Sequence, residues 1–160
     1  MRDELLSIIE KNSRIGVNEL AVLLGAEEAA VLSELETLER EGIICGYHTL
    51  IDWDKTSIEK VTGLIEVRVT PQRGQGFDSV AERIYNYPEV CATYLISGGY
   101  DLLVILEEKS LREISNLVTY KLSTLDGVLS TATHFILKKY KDNGTILSKK
   151  NEDEREIITP

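Results

Sequence analysis

The chain has 160 residues, 42% hydrophobic and 28% charged, with a formal net charge of −9. That suits one ordinary domain or two small ones with a real core, and it excludes a low-complexity chain. No apolar run approaches the length needed to cross a membrane. The start, Met1-Arg2-Asp3-Glu4-Leu5-Leu6, reads as a charged helix and not as a secretory leader. Cys45 and Cys91 lie far apart without metal-ligand spacing, so both are expected to be reduced, buried thiols of a cytoplasmic protein. The acid excess is concentrated: residues 1–60 hold thirteen acidic and six basic residues, a net −7.

In chain order, Leu5, Leu6, Ile8 and Ile9 have helical spacing, and Asn12-Ser13 ends that helix. Asn18 is the expected N-cap of a second helix over 19–24, which Gly25 breaks. A third helix is predicted over 27–41, with Val31, Leu35 and Leu38 on one face and Gly42 as its stop. This order fits a helix-turn-helix or any small three-helix bundle. Residues 43–52 read as an extended connector and 53–57 as a turn.

The second half begins with a half-exposed strand, Ile65, Val67 and Val69 alternating with Glu66 and Arg68. After a loop over 71–76, Phe77, Val80, Ala81, Ile84 and Tyr85 mark an amphipathic helix that Pro88 ends. Runs 90–96 and 102–106 flank Ser97-Gly98-Gly99-Tyr100-Asp101 and read as a hairpin, its paired glycines supplying the positive φ of a tight turn. Ser110 is placed to cap a helix with Leu111, Ile114, Leu117, Val118 and Leu122 on its apolar side. Asp126-Gly127 is a turn, and a final strand is predicted over 128–140. The order βαββαβ is ferredoxin-like and leaves one sheet face open, and such a face calls for a partner, a second copy through the sheets. The mixed charge run over 149–156 is expected to be a solvated helix or a loose tail.

Two sets of residues carry a family resemblance. The run Leu38-Glu39-Arg40-Glu41-Gly42-Ile43-Ile44-Cys45-Gly46-Tyr47 resembles the end of the DNA-binding domain of Lrp/AsnC transcription regulators, and Val17 to Gly25 resembles that domain's second helix. Pro88-Glu89-Val90, Gly98-Gly99-Tyr100-Asp101-Leu102 and Gly127-Val128-Leu129-Ser130-Thr131-Ala132-Thr133 resemble the family's effector domain. The resemblance covers roughly residues 1 to 140. It implies an α+β chain: an N-terminal winged-helix-type helix-turn-helix domain over 1–44, a connecting strand and linker over 45–61, a ferredoxin-like βαββαβ sandwich over 62–140 and a charged tail over 141–160. It further implies a cytoplasmic homodimer that assembles to a higher oligomer such as an octamer, with a small effector, an amino acid, bound between dimers. By position the effector candidates are Gly99, Tyr100, Asp101, Thr131 and Thr133. Asp101 suits an ammonium group, while hydroxyls and glycine N–H groups suit a carboxylate.

The positions implied to meet DNA are Arg14, Ala29, Ala30, Ser33, Thr37 and Arg40. Here the chain departs from the family's pattern: residues 27–41 hold six glutamates and one arginine, and Glu27 stands where a cap serine is usual. Phosphate contacts need cations, so a helix of net −5 is expected to be repelled by a duplex. Two readings stay open. DNA binding is carried by Arg2, Lys11, Arg14 and Arg40, multiplied over an oligomer, or the helix-turn-helix no longer binds DNA and the chain is an effector sensor. An enzyme is the third class, since a tetrapyrrole-modifying decarboxylase shares the family fold. His48 and His134 stand without acid/base or ligand partners at useful spacing, so no enzyme, metal or cofactor is expected.

Overall fold

Leu5, Ile9, Leu20, Ala21, Val31 and Leu38 form the buried core of the first unit, Met1–Leu50, in a computed structural model that describes residues 1–71, 73–74 and 76–148. Their spacing builds α1 (Arg2–Lys11), α2 (Val17–Leu24) and α3 (Glu28–Arg40). Asn12 caps the end of α1, and its side chain accepts from the Arg14 N–H at 3.2 Å. Helix α2 starts two residues earlier than its pattern suggests. Leu20 N–H bonds the Gly16 carbonyl, so Gly16 is the N-cap and Asn18 lies inside the first turn. Gly25 ends α2 in the left-handed conformation at φ 61°, which glycine adopts without a Cβ clash.

Beyond α3 the connector makes no strand. Ile43 and Ile44 donate to the Leu38 carbonyl, and residues 45–50 are exposed and unpaired with any strand of this unit. Extended sequence alone does not make a strand, because the ladder needs a neighbouring backbone. The helix-turn-helix therefore carries no β-hairpin wing of its own among the described residues. Cys45 is exposed, contrary to expectation, because it sits on this connector. Cys91 is exposed too, at a register shift on an edge strand.

The second unit begins at Ile51. A single 3-10 turn (Trp53–Lys55) leads to β1 (Val61–Val69), α4 (Asp78–Tyr85), β2 (Val90–Leu95), β3 (Leu102–Glu108), α5 (Leu111–Leu117) and β4 (Val128–Phe135). The strands form one antiparallel sheet in the order β2-β3-β1-β4, the ferredoxin-like arrangement expected from the element order. Ile65, Val67, Val69, Leu102, Val104 and Leu106 are buried on one face with Val80 and Ile84 of α4 and Ile114 and Leu117 of α5. Gly63 permits this packing, since a Cβ there would lie 3.0 Å from the Ile114 side chain. Ser110 caps α5, its hydroxyl accepting from Glu113 N–H at 3.2 Å. The helix runs on as one turn of π-helix over Val118–Leu122. Tyr85 and Leu111, placed by their spacing on the apolar faces, are both exposed, as the last residue of α4 and the first of α5.

The last strand is shorter than its sequence suggests. Ile136 N–H makes the final bond, to the Thr62 carbonyl, and β1 begins only one residue before that partner. The chain then forms a two-residue hairpin, β5 (Lys141–Asp142) with β6 (Thr145–Ile146), at the start of the expected tail. The charge run over 149–156 lies outside the described residues. On the sheet face away from the helices, Leu64, Ala92, Leu103 and Ile105 are half-buried and Tyr94 is exposed. On that face His134 Nε2 lies 3.3 Å from Glu66 Oε1. No described helix is long and apolar enough to cross a membrane.

Candidate functional site

The effector candidates converge on the end of β1. Leu95 pairs with Leu102, so residues 96–101 form a six-residue loop in place of a tight turn. Neither Gly98 nor Gly99 has positive φ, because a loop of that length closes without it. Asp101 holds the loop in place. Its carbonyl accepts from Ile96 N–H at 2.8 Å and its N–H donates to the Val67 carbonyl at 3.1 Å. Its Oδ2 accepts from Val69 N–H at 2.8 Å, beside a register shift between Arg68 and Val69. One carboxylate oxygen thus satisfies a backbone donor of a buried strand residue. Oδ1 has no hydrogen-bond partner among the described residues.

Thr131 reaches the same strand end from the other side, directly opposite Val67, and Thr133 lies two residues along, opposite Ile65. Both threonines are half-buried on the side of the sheet that Ile65 and Val67 share. The Thr131 hydroxyl is 3.1 Å from the Ser123 hydroxyl. Ser123 was not among the sequence candidates, and no local pattern marks it. Gly99 is exposed and Tyr100 half-exposed on the loop. The fold therefore brings Gly99, Tyr100, Asp101 and Thr131 to one end of the sheet and leaves Thr133 a strand step deeper. The arrangement offers a free carboxylate oxygen, hydroxyls and exposed backbone, suited to a small polar ligand.

Charge on α3 is distributed differently from its sequence total. Arg2 of α1 pairs with Glu41 and lies 3.5 Å from Glu34. The hydrogen bond to Glu41 holds the guanidinium above its usual range. Tyr47 donates to Glu39 Oε1 at 2.8 Å, and burial together with that carboxylate pushes the phenol up. Three of the six glutamates are thus engaged inside the unit. Opposite buried Val31 and Leu38, the outward row is Ala29, Ser33, Glu36 and Arg40, flanked by Ala30 and Thr37. That row carries one acid and one base, so the helix of net −5 does not present a face of net −5. Arg40 Nη2 donates to Thr37 Oγ1 at 3.2 Å, and Thr37 Oγ1 donates to the Ser33 carbonyl at 2.9 Å. Arg2 is withdrawn from the expected phosphate contacts by its two glutamates. Lys11 and Arg14 are exposed and make no ion pair among the described residues.

Comparison with known proteins gives likenesses of three kinds: to a family domain, to relatives in sequence and to a solved structure. Residues 62–146 match the Lrp/AsnC ligand binding domain. The chain is 45% identical to the HTH-type transcriptional regulator YugG of Bacillus subtilis, over 98% of this chain and 95% of that one. It is 30% identical to the HTH-type transcriptional regulator LrpA of Pyrococcus abyssi, over 88% of this chain and 97% of that one. Among solved structures, the L-Met complex of the transcriptional regulator NMB0573 of Neisseria meningitidis superposes with a TM-score of 0.71 at 22% identity. The match covers 88% of this chain and 90% of that one, a likeness of fold. Both relatives are named as HTH-type transcriptional regulators.

Proposed function

The chain belongs to the Lrp/AsnC family of transcriptional regulators, with a helix-turn-helix followed by the family's ligand-binding domain, and we propose from that premise that it binds DNA through α3 and responds to an amino acid held at the end of β1. In this reading residues 1–44 bind DNA, 45–61 connect, and 62–140 bind the effector and oligomerise. The observation that carries it is the convergence of Asp101 and Thr131 on Val67 and Val69, with Oδ1 of Asp101 making no hydrogen bond among the described residues. The ammonium of a zwitterion would meet that oxygen, and its carboxylate would meet hydroxyls and exposed N–H groups of the loop. Gly99, Tyr100, Thr131 and Thr133 complete the proposed contacts. The methionine bound by the Neisseria regulator of like fold supports an amino acid as the ligand class. A homodimer would cover the half-buried apolar residues of the open sheet face, and effector binding at an interface between dimers would shift the balance of assemblies, up to an octamer. On α3 the proposed DNA contacts are Ala29, Ala30, Ser33, Thr37 and Arg40, with Arg14 on a phosphate.

A thermal-shift screen over the protein amino acids tests the sensing half. At least one is expected to raise the melting temperature, and Asp101→Asn, which keeps an acceptor for Val69 N–H, is expected to abolish that response. A response that survives the substitution removes Asp101 from the site. Fluorescence anisotropy with the duplex upstream of the protein's own coding region tests the DNA half. Binding is expected to weaken steeply with salt, and Arg14→Ala to lower the salt slope by about one. No binding at low salt would favour the reading in which the chain senses an effector without direct contact to DNA.

A further inference from the structure

The outward row of α3 contains one residue that the proposed contacts above do not use. Glu36 is exposed, and it lies three residues after Ser33 and four before Arg40, at the middle of the row. Glutamate four residues before arginine is the spacing that ordinarily closes an ion pair on a helix. Here the pair does not form: the Arg40 guanidinium is held by Thr37 Oγ1 at 3.2 Å, and Thr37 is itself fixed to the Ser33 carbonyl. Glu36 makes no hydrogen bond or ion pair among the described residues. By contrast Glu34, Glu39 and Glu41 are all engaged by Arg2 or Tyr47. Ala29 and Ser33 before it on the row, and Ala30 beside it, are small, so between them and Arg40 the Glu36 carboxylate is the side chain that extends from the middle of the row.

We infer that Glu36 is a specificity-determining residue that accepts a hydrogen bond from the exocyclic amino group of a cytosine in the major groove. The inference rests on the reading that α3 enters DNA. A carboxylate in the groove is repelled by the phosphates and gains only where a base edge offers a donor. Cytosine presents its N4 amino group there, whereas adenine sets its N6 amino group beside the N7 acceptor, which repels a carboxylate. A glutamine, with one donor and one acceptor, instead matches adenine through both atoms. Glu36 therefore lowers affinity for arbitrary duplexes and raises discrimination, which gives a purpose to an acid on a DNA-facing row.

The test is selection from a pool of randomised duplexes by the full chain and by Glu36→Gln. The substitution is isosteric and exposed, and a circular dichroism melt checks that the helix content and midpoint are unchanged. The wild type is expected to enrich a motif with a fixed cytosine, and the variant to prefer adenine at that position alone. Discrimination should fall by about tenfold, and binding of an unselected duplex should rise. If both proteins enrich the same motif with the same affinity, the role of Glu36 is overturned while DNA binding by α3 stands. If the wild type enriches nothing, the DNA-binding reading falls and the role of Glu36 falls with it.

Discussion

On the outward row of α3, Arg40 bonds only to Thr37 of its own helix, and the Ser33 and Glu36 side chains make no hydrogen bond among the described residues, whereas Asp101 on the loop between β2 and β3 makes three bonds that hold two strands together. The same type of residue, a carboxylate, is free in one place and built into the fold in the other. The reason is the element beneath. A helix satisfies its own interior backbone, so its outward side chains are left for partners. A strand at the end of a sheet leaves donors such as Val69 N–H unpaired, and a neighbouring side chain is drawn in to meet them. Function on α3 is therefore expected to separate from stability, and function at Asp101 is not.

The largest effect should come from the inner side of α3. Leu38→Ala empties a fully buried site and is expected to destabilise the first unit by about 2–5 kcal/mol in urea unfolding. A cost under about 1 kcal/mol would break the division of the helix into a stabilising and a reading side. Next, Asp101→Ala leaves Val69 N–H without an acceptor in a buried strand, which costs about 1–3 kcal/mol. Asp101→Asn should cost less than half of that. If alanine and asparagine are equally mild, the loop resembles the row on α3 after all.

A smaller effect concerns pH. The Lys121 ammonium donates to Glu89 Oε1 at 2.7 Å and holds that carboxyl below its usual range, while Glu89 holds Lys121 above its own. The lowered Glu89 value means that its contribution is full above the ordinary carboxylate range and is lost as the pH falls through it. The raised Lys121 value means that its contribution is full below the ordinary lysine range and is lost at higher pH. The pair is intact between those limits, so Lys121→Met should flatten the acid limb of a pH–stability profile. An unchanged limb would show that this half-buried pair adds nothing measurable. The smallest effect is expected from Ser33→Ala, within about 0.5 kcal/mol of wild type in stability. Duplex affinity should nevertheless fall. A stability loss above 1 kcal/mol would place Ser33 with Asp101 and not with Glu36.

Much of this fold is legible in the chain's periodicity. The alternation of Ile65, Val67 and Val69 and the helical spacing of Val31, Leu35 and Leu38 each report a buried side, because one face of an element must leave water. Local order also places the Ser110 cap and the Gly25 and Gly42 stops, which are satisfied within a few residues. The residues of the site are legible only as types. Nothing around Asp101 announces that Val69, 32 residues earlier, takes one of its oxygens. Nothing around Thr131 announces Ser123.

What the sequence by itself determined is the order of elements, their buried faces and the family the chain resembles, since these follow from local spacing and from motifs that travel with the fold. What only the tertiary structure decided is which polar groups remain free. The six glutamates of residues 27–41 look equivalent in sequence, and Arg2 and Tyr47, distant along the chain, engage three of them; of the other three, Glu27, Glu28 and Glu36, Glu36 stands on the outward row. Asp101 reads in sequence as an acceptor on a hairpin loop, and the unpaired end of β1 draws one of its oxygens to Val69 N–H, the other making no hydrogen bond among the described residues. Hydrogen bonds and ion pairs are settled by proximity in space, and proximity across dozens of residues exists only once the chain has folded.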